Sequence, residues 1–172
     1  MNIAARGGEA VFVNQGDATI SGATSGADSI IGGAQGSVTY TGHGANLLVS
    51  NNYGAADVTT GNGASLIFAG HGNLSLTGGA GSMTALIGEG QEVITEGSGA
   101  ATYDLLAQSG AGEGSVTIFN FDPAKDALHS FGYLTGPAVT HVGGSTQLHY
   151  SDGTSINLVG VANYTPALGA SG

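Results

Sequence analysis

The chain has 172 residues, 33 of them glycine, with 41% hydrophobic and only 8% charged residues and a formal net charge of −10. That length suits one domain, or one domain with a small appendage, and the low charge and high apolar content argue against a disordered chain. Two basic residues against twelve acidic ones exclude an electrostatic nucleic-acid binder, which needs a basic stripe to displace counterions.

The chain contains no cysteine and no tryptophan, which removes thiol catalysis and points to a thin, layered core. No stretch reaches the ~18 apolar residues of a membrane-spanning helix. The opening Met1 to Gly8 has no apolar run and does not read as a secretory signal peptide.

Glycine punctuates the chain from there on, at Gly8, Gly16, Gly26, Gly36, Gly44, Gly54, Gly63, Gly72, Gly81, Gly90 and Gly99. From Gly61 to Tyr103 the units are regular nonapeptides that each open on Gly-x-Gly. A unit so short cannot bury its own apolar residue and must stack on its neighbours. Early in the chain short and long steps compensate, so alternate glycines stay about 18 residues apart. The predicted coil is therefore two units, a strand on each side with a glycine turn at each end.

Four places after those glycines stand Phe12, Ile20, Ile30, Tyr40, Leu48, Val58, Ile67, Leu76, Ala85, Ile94 and Tyr103, all apolar or aromatic. Alternate side chains of a strand point to opposite faces, so these residues are predicted to fill the interior. The flanking positions then form two outer faces of different character. One carries Thr19, Ser21, Thr39, Thr41, Asp57, Thr59, Ser75, Thr77, Val93 and Thr95 and can meet water. The other carries Val11, Val13, Ile31, Leu47, Val49, Leu66, Phe68 and Leu86, an apolar patch of the kind that marks a contact surface.

The spacing resembles the RTX nonapeptide, Gly-Gly-x-Gly-x-Asp-x-(apolar)-x, whose aspartates hold calcium in the turns of a parallel β-roll. At the aspartate position this chain has Ala18, Asp28, Val38, Asn46, Ala56, Ser65, Leu74, Met83, Glu92 and Ala101. Calcium needs several oxygen ligands at once, so a continuous ladder of ions is not expected. The expectation is a roll that requires no cofactor, with Ca2+ as the candidate ligand of a residual site at Asp28 or Glu92.

After Tyr103 the glycine period stops. Residues 105–115 read as a Gly/Ser/Ala connection, and Ser115 to Phe121 as a strand ended by Asp122-Pro123. Gln147 to Tyr150 and Thr154 to Leu158 flank Ser151-Asp152-Gly153, a hairpin signal because Asp-Gly readily takes positive φ. Phe119-Asn-Phe-Asp-Pro-Ala-Lys-Asp126, Gly132-Tyr133 and Ser151-Asp-Gly-Thr-Ser-Ile-Asn-Leu-Val-Gly-Val161 resemble the C-terminal region of RTX-like proteins exported by bacterial type I secretion. That resemblance implies an uncleaved C-terminal export signal, the secretion machinery as a partner, and calcium as a candidate ligand of Asp122 and Asp126. The expected organisation is a roll over 1–104, a connection over 105–115 and a C-terminal antiparallel β cap over 116–172, covering the last coil and part of the apolar face.

No nucleophile elbow, Walker loop or H-E-x-x-H string is present. His43 and His71 lie in Gly-His-Gly turns, and His141 and His149 are expected to be cross-strand neighbours short of a zinc ligand set. The sequence thus points to an all-β, non-enzymatic protein, secreted or on a bacterial cell surface and exported without an N-terminal signal peptide. It would self-associate through the apolar face and an open coil end into a matrix, surface layer or filament. The alternative is a ligand-binding surface protein, an adhesin or ice binder, using Thr19, Thr39, Thr41, Thr59, Thr77 and Thr95.

Overall fold

The computed structural model describes residues 1–13, 15–22, 27–32, 36–42, 53–107 and 114–166, and residues 47–50 by their backbone path. The described residues form strands and turns and contain no helix. In chain order the first strands are β1 (Asn2–Ala4), β2 (Ala10–Val13), β3 (Ala18–Ser21), β4 (Asp28–Gly32), β5 (Ser37–Thr41) and β6 (Leu47–Ser50). There follow β7 (Ala55–Thr59), β8 (Ser65–Phe68), β9 (Leu74–Thr77), β10 (Met83–Ile87), β11 (Gln91–Thr95) and β12 (Ala101–Leu106). The last five are β13 (Ser115–Phe119), β14 (Ala127–Phe131), β15 (Ala138–Val142), β16 (Ser145–His149) and β17 (Ser155–Val159).

Odd and even strands separate into two sheets, except that β16 joins the odd strands. One runs β1-β3-β5-β7-β9-β11-β13-β17-β16-β15 and the other β14-β12-β10-β8-β6-β4-β2. All pairings are parallel except β15 with β16 and β16 with β17, which are antiparallel. From β1 to β14 consecutive strands thus belong to opposite sheets and each parallel neighbour lies two strands on in the chain, whereas β13 takes β17, four strands on, as its parallel neighbour.

The apolar side chains facing inward stack in columns between the sheets. On the odd sheet Ile20, Tyr40, Val58, Leu76, Ile94, Ile118 and Leu158 lie in register and are buried. On the even sheet Ile30, Ile67, Ala85, Tyr103 and Leu128 are buried. Parallel sheets are ordinarily covered on both faces, and here each sheet covers only the inner face of the other.

The odd strands keep the predicted register, but two even strands do not. Val11 pairs with Ile30 and Phe12 with Ile31, so Val11 is half-buried, Val13 is buried and the Phe12 ring is 68% exposed. In β6 it is Val49 that pairs with Ile30 and Ile67, while Leu47 aligns with Asp28 and Ser65, and Leu48 with Ser29 and Leu66. Val11 and Val13 therefore face inward and Phe12 outward, the reverse of the expectation. The backbone of β6 is likewise one residue out of the expected register, while the side chains of Leu47, Leu48 and Val49 lie outside the described residues. A slip of one residue moves every side chain to the opposite face. Counting from Gly8 misplaces β2 because Gly7 and Gly8 both sit in the turn at positive φ.

The parallel ladder also runs past residue 104. Strand β13 pairs with β11 in full register, β14 with β12, and β17 with β13. A further Gly-x-Gly string, Gly112-Glu-Gly114, precedes β13 in the sequence, with Ile118 four places after it, and Val116 and Ile118 take the inward places of Leu74 and Leu76. The antiparallel strands extend the odd sheet edge to edge and do not lie over the even face. The expected Asp-Gly hairpin forms, with Gly153 at φ 95° and Tyr150 N–H bonded to Thr154 O at 2.9 Å. A second hairpin, turned by Gly143 and Gly144 at positive φ, joins β15 to β16. It sets His141 opposite Thr146 and His149 opposite Ala138, so the two histidines are not cross-strand partners.

Candidate functional site

The outer faces of the two sheets differ as their side chains require. On the odd sheet Ser21, Thr41, Thr59, Thr77 and Thr95 stand in one unbroken row across five neighbouring strands. The adjacent row reads Thr19, Thr39, Asp57, Ser75 and Val93, so Asp57 and Val93 interrupt its threonines. A shallow trough of about 350 Å3 crosses this face, lined among others by Thr39, Asp57, Asn73, Ser75, Gln91 and Val93. β-branched threonine suits an exposed pleated surface, and neighbouring strands repeat its hydroxyl every ~4.8 Å.

The even sheet presents an apolar strip instead. Phe68 and Leu86 continue into Asp104 and His129 in one row, and Leu66 lies beside them. Leu106 and Phe131 form a further pair, while Phe12 and Ile31 form another at the far end. Phe12, Leu66, Phe68, Leu106 and Phe131 are exposed, with Ile31 and Leu86 half-buried. Of the eight residues expected on this face, Ile31, Leu66, Phe68 and Leu86 are there. Phe12, Leu106 and Phe131 join them and were missed, the last two because they lie beyond the regular repeat.

Two histidine–carboxylate pairs edge the strip. His71 Nδ1 is 2.6 Å from Glu89 Oε2, and its ring stacks on Tyr53 with centroids 4.7 Å apart. His129 Nδ1 is 3.0 Å from Asp104 Oδ1. His43 lies outside the described residues.

The candidate calcium ligands scatter. Asp28 is buried on β4 and its Oδ2 accepts the Tyr40 hydroxyl across the core at 3.2 Å. Tyr40 reaches that far because Gly22 and Gly42 flank its ring: a Cβ at either would lie 2.1 or 2.4 Å from the phenol oxygen. Glu92 is buried on β11 of the other sheet, in a column otherwise made of Ala18, Val38, Ala56, Leu74, Val116 and Ile156. Its Oε1 accepts Gly88 N–H at 2.7 Å, and Oε2 has no hydrogen-bond partner among the described residues. Burial pushes its pKa up to about 7, against a smaller opposing effect of the Gly88 hydrogen bond. Among the described residues no group of three or more His, Asp or Glu side chains gathers as a metal centre would require.

Asp122 and Asp126 meet, though as parts of a turn. Asp122 N–H donates to Asp126 Oδ2 at 2.7 Å, and Asp122 Oδ1 accepts Ala124 N–H. Asp126 Oδ1 takes Ala101 N–H at 2.8 Å, which ties the turn to the start of β12. Glu96, buried at the end of β11, faces Asp126 and the Tyr103 phenol. Burial and then the Asp126 carboxyl push Glu96 up to about 8. Burial alone would raise Asp126 too, but Glu96, the two backbone N–H groups and Lys125 hold it below the usual carboxylate value. The Lys125 ammonium completes the cluster, 3.3 Å from Asp126 Oδ1 and 3.7 Å from Glu96 Oε2.

No protein-family model and no curated protein matches this chain. Its reading therefore rests on the residues themselves.

Proposed function

We propose that the chain is an RTX-like parallel β-roll with 18-residue coils, the spacing that brings His71 to Glu89 and Asn73 to Gln91. Strands β15 to β17 act as its antiparallel cap. On this reading it is a secreted, non-enzymatic structural protein that associates with copies of itself in an extracellular matrix, surface layer or filament. Export by a type I machinery, using the C-terminal region, accords with the resemblance of residues 119–161.

The observation that carries the reading is the contrast between faces. One sheet turns hydroxyls to water, whereas the other exposes Phe12, Leu66, Phe68, Leu106 and Phe131 on a protein that carries ten net negative charges. Apolar surface of that extent is stabilised when another surface covers it, by about 25 cal/mol per Å2. The test is sedimentation and electron microscopy of the full chain. Wild type should form oligomers or ordered polymers at micromolar concentration, and the pair Phe68→Glu and Leu66→Glu should weaken association at least about tenfold, each buried charge costing more than 1.4 kcal/mol. A wild-type protein that stays monomeric at hundreds of micromolar would remove self-association.

A second reading has its own observation, the continuous row Ser21, Thr41, Thr59, Thr77 and Thr95 beside the trough. Such a row suits a flat, repetitive ligand such as an ice surface or a polymer. Thermal hysteresis in wild type, abolished by Thr59→Tyr and Thr77→Tyr without change in melting temperature, is the expected result for ice. No hysteresis in wild type removes that ligand.

A further inference from the structure

The chain has a single lysine, and the structure spends it inside. Lys125 Nζ donates to the carbonyl oxygens of Gly99 at 2.8 Å and Gly97 at 3.4 Å, in the turn between β11 and β12. From the other side it meets Asp126 Oδ1 and Glu96 Oε2, whose carboxyls are nine-tenths or more buried. Neither Glu96 oxygen meets hydrogen-bond geometry among the described residues, and that carboxyl faces the ammonium together with Asp126 and the Tyr103 phenol. Four oxygens from a turn, the strand before it and a later segment thus converge on one positive charge. Carboxylate and carbonyl oxygens are the donors that hold calcium. At Glu92, one of the places where the repeat predicts calcium, no such convergence occurs among the described residues.

We infer that Glu96, Gly97, Gly99 and Asp126 form a cation site which the protein fills with its own Lys125 ammonium, and which admits a divalent cation, calcium by its donors, once that ammonium is removed. The lysine stands where an ion would cross-link β11, β12 and the Asp122–Asp126 turn. Being covalent, it cannot be chelated away. Half of the requirement is electrostatic: the Asp126 carboxylate and two carbonyl oxygens favour a cation, and a divalent ion beside Glu96 would favour its ionised form. The other half is room: Lys125 is 29% exposed, so water can complete the shell of an ion that takes six to eight ligands. The inference does not depend on self-association, and a protein that never assembles would still show it.

The experiment is thermal melting of the full chain as wild type, Lys125→Met and the double variant Lys125→Met with Asp126→Asn, in chelator and in 5 mM calcium chloride (a concentration of about that order saturates weak extracellular-type sites). Wild type should melt at the same temperature in both. Lys125→Met should melt about 10 °C lower in chelator, the consequence of leaving a buried carboxylate unpaired, and calcium should restore at least half of the loss. The double variant should show no calcium response. If Lys125→Met is unfolded in chelator, refolding on addition of calcium supports the site and failure to refold overturns it. Equal melting of Lys125→Met and wild type in chelator, a Lys125→Met protein indifferent to calcium, or a double variant that still responds would each overturn it as well.

Discussion

Alanine at Gly81 should lower the melting temperature by more than about 10 °C, the effect of several kcal/mol on a domain this size. A Cβ there would lie 2.0 Å from Gly63 O, and at Gly99 2.0 Å from Gly81 O. The same holds for Gly72 against Gly54 O at 1.9 Å and Gly90 against Gly72 O at 2.0 Å. Every obstacle is backbone, so no rotamer change relieves it. Only separating the stacked turns would, at the expense of hydrogen bonds such as Gly81 N–H to Gly61 O. Gly81 is required for this close approach and not for its φ, which is not positive. Gly144 in the β15–β16 turn is the contrasting case: its φ is +79° and nothing among the described residues lies within 4 Å of its Cβ. Gly144→Ala should cost only the left-handed backbone penalty, about 1–2 kcal/mol. Melting curves followed by circular dichroism distinguish the two, and a Gly81→Ala protein as stable as Gly144→Ala would refute the stacked-turn geometry.

The second large effect is on pH. Glu92 has a folded pKa of about 7 against an ordinary 4.5, caused chiefly by burial, and Glu96 shifts the same way to about 8. Between the unfolded and folded values the native state holds the proton and the unfolded state does not. Stability therefore falls as pH rises. For Glu92 nothing is lost below pH 4.5, the decline runs through pH 7, and the full cost is present above it. The decline due to Glu96 extends to about pH 8. Glu92→Gln should accordingly gain about 3 kcal/mol over wild type at pH 8, a shift of about 2.5 pKa units at 1.36 kcal/mol each, and differ little at pH 4.5. Urea unfolding at the two pH values measures this. A variant with the same pH profile as wild type would show that Glu92 is hydrated.

Both effects originate in positions that the sequence presents in unequal clarity. The glycine turns are visible in the string from Gly61 to Gly99, because steric need at a repeated place imposes a repeated residue. Glu92 is visible only as an acid at the metal position of the repeat. What makes it consequential is the apolar column of Leu74 and Val116 on either side, a property of which strand stacks on which. Likewise Lys125 reads as an ordinary surface lysine near a turn. Its contacts come from Glu96, Gly97 and Gly99, more than two dozen residues back in the chain.

The outer faces divide in the same way. All ten hydroxyl-face residues from Thr19 to Thr95 lie in the rows expected of them, because the odd strands keep a constant offset from their glycines. The apolar face keeps Ile31, Leu66, Phe68 and Leu86 but exchanges Val11 and Val13 for Phe12. A two-residue period cannot tell an inward valine from an inward phenylalanine when both neighbours are apolar, and the Gly7-Gly8 turn adds the residue that decides it.

Composition and glycine spacing alone thus determined that this polypeptide would be all β, with alternating short strands, a narrow apolar interior and two unlike surfaces. Those are consequences of local chemistry repeated along the chain. The register of β2 and β6, the continuation of the parallel sheets through β14 and β17, and the gathering of Glu96, Lys125 and Asp126 were decided by tertiary structure. Each depends on which backbone groups of distant strands meet, and hydrogen-bond pairing between them leaves no periodic trace in the sequence.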